Sequence, residues 1–523
     1  NESNLYVEDN WKIRENLTLN LGLRYEYISA PKEAVGRITY GIKADKDNWE
    51  PRVGFAWSPR FEEGFMNRLF GRSGDSSIRG GYGIYHGRIF QSVFSQGGAT
   101  VRFNPPNAFF YNQSGVASAQ FNPVNLADPT NGFAFVPGPQ TTRHTITAID
   151  PGLEMPYTQQ WNLTLDRQLP FSSSLRVSYT GNRGIGLLKY SLDNLPLHDP
   201  VNGVRVANHP NNPANLRGQV IKLAANFVCA GTTTALINAQ CPTVVPIGEF
   251  EYSFRVPRVN ERRPNGLYTT NLAVSNNAWS YYHAMQADFQ KRLSRDLSFQ
   301  AAYTWSKSID TTSEATAVGT GDSNQNGNDK RAGRGLSRFH TPHRFTIYGT
   351  YRLPFFRGEK GVLGQILGGW QVSPVVKLSK GTPFTVTTTA QDLNFDGFGE
   401  SRPVILDPSI LGNSVSLPAT SRTALPASAF RQLNIADSNT PIVGRNTFFL
   451  DGVKNVDFGL MKTFLMPWEN HKFTVRADFF NAFNHVQYGF PSVAITATNF
   501  GAITSTAVQY APRSVQVSLR YQY

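Results

Sequence analysis

The stretch Leu17-Thr-Leu-Asn-Leu-Gly-Leu-Arg-Tyr-Glu-Tyr27 (LTLNLGLRYEY) decides the fold. Every odd position is apolar or aromatic, and every even one is small, polar or charged. Successive side chains of a β-strand point to opposite faces, so a period of two predicts a strand with one apolar and one wet face. The stretch is also longer than the usual globular strand of about five or six residues. It matches the roughly 9–11 that cross a bilayer at a tilt.

The same period recurs in Trp161-Asn-Leu-Thr-Leu-Asp166, Leu175-Arg-Val-Ser-Tyr179, Leu297-Ser-Phe-Gln-Ala-Ala-Tyr-Thr-Trp305, Phe345-Thr-Ile-Tyr-Gly-Thr-Tyr351 and Phe473-Thr-Val-Arg-Ala-Asp-Phe479. It also closes the chain, in Arg513-Ser-Val-Gln-Val-Ser-Leu-Arg-Tyr-Gln-Tyr523, where Val515, Val517, Leu519, Tyr521 and Tyr523 share a face. Arg24, Glu26, Asp166, Arg176, Arg344, Arg476, Asp478 and Arg520 all fall on the polar faces. An Arg or Lys facing lipid at the bilayer midplane costs about 2–4 kcal/mol, whereas a barrel lumen is wet. A soluble sandwich alternates in a similar way with its apolar face inward. Strand length and aromatic ends favour the barrel, because Tyr25, Tyr27, Trp57, Trp305, Tyr351 and Tyr521 stand where an interfacial girdle lies.

The connections support that reading. Short turns at Arg14-Glu-Asn16, Phe171-Ser-Ser-Ser174 and Ser294-Arg-Asp296 join strand pairs, and long segments rich in Asn, Pro, Gly and Thr separate them near 88–155, 185–279, 311–341, 385–452 and 486–511. Short turns on one side and long loops on the other is the asymmetry of an outer-membrane barrel, with the long side extracellular. The expected strands are 4–13, 17–28, 48–58, 76–87, 156–169, 174–184, 280–293, 297–309, 343–354, 370–384, 455–466, 472–485 and 513–523. Closed single-chain bacterial barrels use an even number of strands, and an open edge cannot face lipid. The list has about thirteen, and the first residues already read as a strand, with no start Met and no apolar leader. The expectation is therefore all-β: residues 1–523 form one partial domain, the C-terminal portion of a transmembrane antiparallel barrel.

Composition excludes several classes. Charged residues are 17% of the chain, below the roughly 25% of soluble domains. No apolar run approaches the ~18 residues of a transmembrane helix. The net charge is +13, but the basic residues are dispersed and no recognition motif accompanies them, so no nucleic-acid partner is expected. There is no Gly-x-Ser-x-Gly, no His-Glu-x-x-His and no phosphate-binding glycine loop, which argues against an enzyme.

Specific motifs then add a family. Leu5-Tyr-Val-Glu-Asp-Asn-Trp-Lys12 followed by Asn16-Leu-Thr-Leu-Asn-Leu-Gly-Leu-Arg-Tyr-Glu26 resembles a strand pair of TonB-dependent outer-membrane receptors. Trp49-Glu-Pro-Arg-Val-Gly-Phe55 and Ile78-Arg-Gly-Gly-Tyr-Gly-Ile-Tyr85 resemble the next two strands. Lys330-Arg-Ala-Gly-Arg-Gly-Leu-Ser-Arg-Phe-His-Thr-Pro-His-Arg-Phe345 and Ala477-Asp-Phe-Phe-Asn-Ala-Phe-Asn484 narrow the resemblance to the Oar-like group, although that group often has Asp where His340 stands. The resemblance implies a signal peptide, an N-terminal domain, a plug and about nine further strands upstream, completing a barrel of about twenty-two. It implies TonB-dependent transport of a bulky nutrient (oligosaccharide, peptide or metal chelate) across the bacterial outer membrane. The alternative is Oar-like surface adhesion or protein export. Implied partners are the TonB complex through the N-terminal part, outer-membrane lipid and the barrel-assembly machinery, for which Val515, Val517, Leu519, Tyr521 and Tyr523 form the C-terminal signal.

Few residues carry candidate chemistry. Cys229 and Cys241, close together in a polar stretch, are expected to form a disulfide; two unpaired thiols is the alternative. Asp392, Asn394 and Asp396 before Gly397 reproduce the first half of a calcium loop, with Glu400 as a further oxygen ligand. The twelfth position is Pro403, so an Asx-rich turn is the competing reading and a structural Ca²⁺ the only cofactor considered. His340 and His343 form an H-x-x-H without a placed carboxylate. Phe103, Phe109, Phe110, Tyr111, Phe121, Phe133 and Phe135 stand among Asn and Pro, either to stack on a ligand or to pack loops together.

Overall fold

The computed structural model describes residues 2–30, 42–72, 74–89, 146–194, 220–222, 244–246, 265, 268, 271–294, 296–314, 333–356, 361–390, 401–415, 424–433, 441–466 and 471–523. Thirteen long strands follow one another in chain order along one sheet, which also takes in two short pieces, 147–149 and 335–336. They are β1 (Glu2–Arg14), β2 (Leu17–Ile28), β3 (Asp45–Trp57), β4 (Ser76–His86), β5 (Tyr157–Leu169), β6 (Ser173–Asp193), β7 (Asn271–Ser294), β8 (Leu297–Asp310), β9 (His343–Arg352), β10 (Trp370–Ser379), β11 (Val453–Leu465), β12 (Lys472–Phe480) and β13 (Ser514–Gln522). Each is antiparallel to the next, so the ladder is a continuous up-and-down meander with β1 and β13 at its edges. This is one sheet, not two sheets packed face to face.

Register keeps each face chemically uniform, because a slip of one residue would exchange the faces. Leu19 opposes Phe55, Leu21 opposes Val53, Val53 opposes Tyr82 and Tyr82 opposes Trp161. These side chains form the apolar face, on which Leu21 and Leu23 are 39% and 40% exposed. Arg24, Glu50 and Arg52 stand on the other face and pair with one another. Apolar-face glycines are roofed by rings. A Cβ on Gly181 would lie 2.2 Å from the Trp161 indole, and one on Gly80 would lie 2.5 Å from Phe55.

The strands carry almost no hydrophobic core. Among the described residues, the buried apolar ones that belong to the ladder are Leu188, Ala273, Val274, Ala278 and Ala284. A single apolar-faced sheet with no second layer against it is not a stable arrangement in water. It is the arrangement a bilayer completes.

The two ends of the sheet differ. At one end the connections are short, and two contain a helical turn: α1 (Gly64–Phe70) between β3 and β4, and α2 (Val362–Leu367) between β9 and β10. At the other end β6 and β7 reach 21 and 24 residues. At ~3.3 Å per residue the longer spans roughly 80 Å, far beyond a ~25 Å apolar band, so both strands project from it. Their extensions, 185–193 and 271–279, fall within the stretch 185–279 that reads as a long loop rich in Asn, Pro, Gly and Thr. The structure instead pairs Tyr190 with Val274 and Leu187 with Ala278, with register shifts around Ala278.

A second correction concerns the connections β10–β11 and β12–β13. Expected as long loops, they pack together into a cap with its own core, made of Phe384, Val386, Ile405, Ile410, Val415, Leu425, Ala429, Phe430, Val443, Phe448, Phe500 and Ile503. Phe430 stacks edge-on against Phe448 and Phe500, at 5.8 and 5.6 Å between centroids. Backbone bonds Thr387 N–H to Val493 O and Ile495 N–H to Thr387 O, both 2.9 Å, tie the two connections.

Candidate functional site

The polar face of the sheet is a network of neutralised charge. Glu50, 2% exposed, accepts a hydrogen bond from the Arg52 guanidinium (2.6 Å) and from the His86 backbone N–H (2.7 Å). Arg24 bridges Glu26 and reaches Glu50. Further along, Arg176 donates to Asp166 at 2.6 Å, Gln300 to Asp288 at 2.5 Å and the Tyr348 hydroxyl to the Gln300 carbonyl oxygen at 2.5 Å. Over β1 to β5, beside Arg24 and Arg52, lies a hollow of about 440 Å³ lined by Gly22, Gly54, Gly81 and Gly83 and by Tyr6, Glu8 and Tyr85. A Cβ on Gly22, Gly54 or Gly81 would meet nothing closer than 3.5 Å, an ordinary contact, whereas the glycines of the apolar face are tightly covered.

The cap is fastened to the long-loop end by Arg445. Its side chain is fully buried, and its guanidinium donates to Gly333 O (2.8 Å), Ser313 Oγ (3.1 Å), Asp310 O (2.7 Å) and the Asp310 carboxylate. Asp310 ends β8, so one fork joins the cap to the sheet. Planar, multidentate donation of this kind suits Arg and not Lys. Nearby, Asn446 donates to Leu336 O at 2.7 Å.

Beside this fastening lies a cleft of about 710 Å³ between the two cap connections. Phe384, Tyr488 and Phe490 supply ring surface; Thr382, Thr385, Thr387, Ser505, Thr506, Asn446 and Gln509 supply hydroxyls and amides. Arg338 is the single charged residue of its lining, and it is paired with Glu314. The size suits a small-molecule or short polymer segment, and mixed ring and hydroxyl surface suits a neutral polar one.

The expected site residues fare unevenly. Asp392, Asn394, Asp396 and Glu400, Cys229 and Cys241, and the aromatic group from Phe103 to Phe135 lie outside the described residues. His340 and His343 do not converge. The His340 Nδ1 accepts the Ser308 backbone N–H at 3.3 Å and its ring packs on Phe449, whereas the His343 Nδ1 faces the Tyr303 hydroxyl at 2.8 Å. Burial, then Lys307, Lys380 and His343, push the His340 imidazole below its usual pKa, so it is neutral and a hydrogen-bond acceptor here. Val515, Val517, Leu519 and Tyr521 face Phe479, Ala477, Val475 and Phe473 across the last ladder, and Tyr523 stands 92% exposed beyond it with its ring near Tyr521. Arg445, Asp310 and the cleft were not foreseen. They join residues over a hundred positions apart, and no local period marks them.

A family profile described as an outer membrane beta barrel domain matches residues 1–40 and 36–516. No curated protein matches. Among solved structures, the outer membrane transporter YddB from Escherichia coli is 12% identical with a TM-score of 0.42, over 100% of this chain and 45% of that one. The siderophore receptor PirA from Acinetobacter baumannii is 10% identical with a TM-score of 0.42, over 100% and 46%. The ferripyoverdine receptor of the outer membrane of Pseudomonas aeruginosa is 10% identical with a TM-score of 0.39, over 100% and 38%. The chain thus spans less than half the length of these structures.

Proposed function

We propose an active-transport role for this chain, which belongs to the outer-membrane β-barrel domain family and resides in the bacterial outer membrane. In this reading the thirteen strands are the C-terminal part of a larger barrel of the TonB-dependent, Oar-like kind. Strands outside this sequence cover the β1 and β13 edges, and a plug fills the lumen. The polar face is then the lumen wall, and the cap, at the extracellular end, receives the substrate. TonB, acting through the N-terminal part, supplies the energy.

The observation that carries the proposal is the cleft in a cap with a packed core of its own. A passive pore gains nothing from a built recess at its mouth; a receptor that must capture a dilute solute does. Because Arg338 is paired with Glu314, the cleft carries no uncompensated charge, which favours a neutral oligosaccharide or peptide over an anionic metal chelate. Calorimetry on the full-length purified protein with panels of neutral glycans, peptides and ferric chelates tests this. Binding of a glycan or peptide that is lost in Phe490→Ala, with uptake lost in cells lacking TonB, is the expected result. Binding confined to ferric chelates, or uptake indifferent to TonB, overturns it.

Surface adhesion is the second reading, favoured by the exposure of Phe339, Phe490 and Val508 around the same cleft. Cell-cell attachment lost in Phe339→Ser with solute uptake intact would select it. Two further expectations remain part of the proposal. Asp392, Asn394, Asp396 and Glu400 bind a structural Ca²⁺, seen as a rise in melting temperature with added calcium, and Cys229 and Cys241 form a disulfide, seen by non-reducing mass spectrometry.

A further inference from the structure

The short-turn rim carries the same ten-residue pattern twice. Glu62-Glu-Gly-Phe-Met-Asn-Arg-Leu-Phe-Gly71 and Glu359-Lys-Gly-Val-Leu-Gly-Gln-Ile-Leu-Gly368 align without a gap as Glu-x-Gly, two apolar residues, two spacers, two apolar residues and Gly. Each folds as one helical turn or two, α1 and α2, closed by the same bond: Gly71 N–H to Asn67 O at 2.7 Å and Gly368 N–H to Gly364 O at 3.0 Å. Helices of seven and six residues are too short to persist alone, so something else must hold them.

A cation holds each one, and both cations break the rule of the face they stand on. Arg167 and Lys462 alternate with Leu165 and Leu460 and so fall on the apolar face of β5 and β11. The Arg167 guanidinium donates to the carbonyls of Arg68 (3.1 Å) and Leu69, the last turn of α1. The Lys462 ammonium donates to Ile366 O (3.2 Å) and Gly368 O at the end of α2, and Trp370 Nε1 adds a bond to Ile366 O at 3.0 Å. Positive charge at a helix C-terminus satisfies orphan carbonyls and meets the negative end of the dipole. Since the clamps project from the apolar face, both helices lie on its side of the rim. Ring contacts continue that face into α1, from Trp57 to Phe61 at 6.4 Å and from Phe61 to Phe70 at 5.9 Å.

So held, the helices turn apolar side chains outward. Phe65 is 75% exposed and Val362 71%, with Met66, Leu69, Ile366 and Leu367 also exposed. An apolar face continuous with the apolar face of the sheet, edged at α1 by Arg68, Arg72 and the Glu15-paired Arg60, has the composition of an interfacial helix. We propose that α1 and α2 are a pair of membrane anchors that seat the rim of the barrel in the phospholipid of the periplasmic leaflet, apolar faces among the acyl chains and basic residues at the headgroup phosphates. This rests on the outer-membrane barrel reading, in which the short-turn end is periplasmic, and not on transport.

The test places the photo-reactive residue p-benzoylphenylalanine at Phe65, at Ile366 and, as a control in the cap, at Val508 of the full-length protein in living outer membranes. Irradiation followed by mass spectrometry should give phospholipid adducts at Phe65 and Ile366 in several-fold excess over Val508. Arg167→Leu should lower the yield at Phe65 alone, and Lys462→Leu the yield at Ile366 alone, with folded protein confirmed by heat-modifiable mobility. Adducts with a periplasmic protein, or lipid yields no greater than at Val508, overturn the proposal. Failure of the transport reading would leave these adducts unchanged.

Discussion

Trp161 lies across Gly181 so closely that a methyl group there would overlap the indole. Glycine in a strand normally costs stability; a ring laid over it recovers buried area and shields the backbone. Gly181→Ala must swing the indole away, and overpacking of this kind costs about 1–3 kcal/mol. The expected outcome is a lower unfolding midpoint in detergent, read by heat-modifiable gel mobility, and Gly81→Ala, where a Cβ has only ordinary contacts, should leave it unchanged. His340 makes a different prediction. Its pKa is depressed in the fold, so its contribution is complete above the usual imidazole value near 6.5 and is lost as pH falls through that value towards the folded one. Hydrogen exchange in 333–342 and 447–450, corrected for the intrinsic rate, should quicken between pH 7.5 and 5.5 in the native protein. His340→Gln, which cannot titrate, should flatten that dependence.

At the scale of elements, the most heavily bonded tie between cap and sheet is the Arg445 fork. Replacing Arg445 by Ala leaves the Asp310 carboxylate buried and uncompensated, which costs about 3–5 kcal/mol. The cap should detach and become sensitive to added protease while the strands remain resistant; Arg445→Lys should behave more like Ala than like the native residue, because one ammonium cannot reach all four acceptors. The final strand raises the matching question at the other end. If β13 is the assembly signal, deleting Tyr523 lowers the amount of folded barrel recovered from the outer membrane, whereas Gln522→Ser does not. Equal recovery in the two would make Tyr523 a girdle residue only. The strands themselves were legible because alternation is a local signal: all thirteen are where the pattern puts them, but β6 and β7 extend well past the expected bounds, and β10 and β12 stop at Ser379 and Phe480, short of the expected 384 and 485. The cap was not. Its core residues, Phe384, Val386, Ile405, Ile410, Phe430, Phe448 and Phe500, are scattered without a period through Pro- and Asn-rich sequence, and only their meeting in space shows them to be a core.

For the whole molecule, two burial economies coexist in one chain. The sheet has its apolar surface on one face and its charge on the other, while the cap gathers apolar side chains from two connections into a core of its own. The cap also has an order in time. Its core draws Phe384 to Phe448 from the connection before β11 and Phe500 and Ile503 from the connection before β13, with β11 and β12 between them in the chain. Until the β12–β13 connection is in place, the ten core residues of the first connection lack Phe500 and Ile503, and the ring of Phe430 lacks its edge-on partner Phe500. The cleft, shared between the same two connections, is therefore complete only when both are in place, so a chain in which β12 and β13 have not yet paired has the first connection without the cleft's second wall.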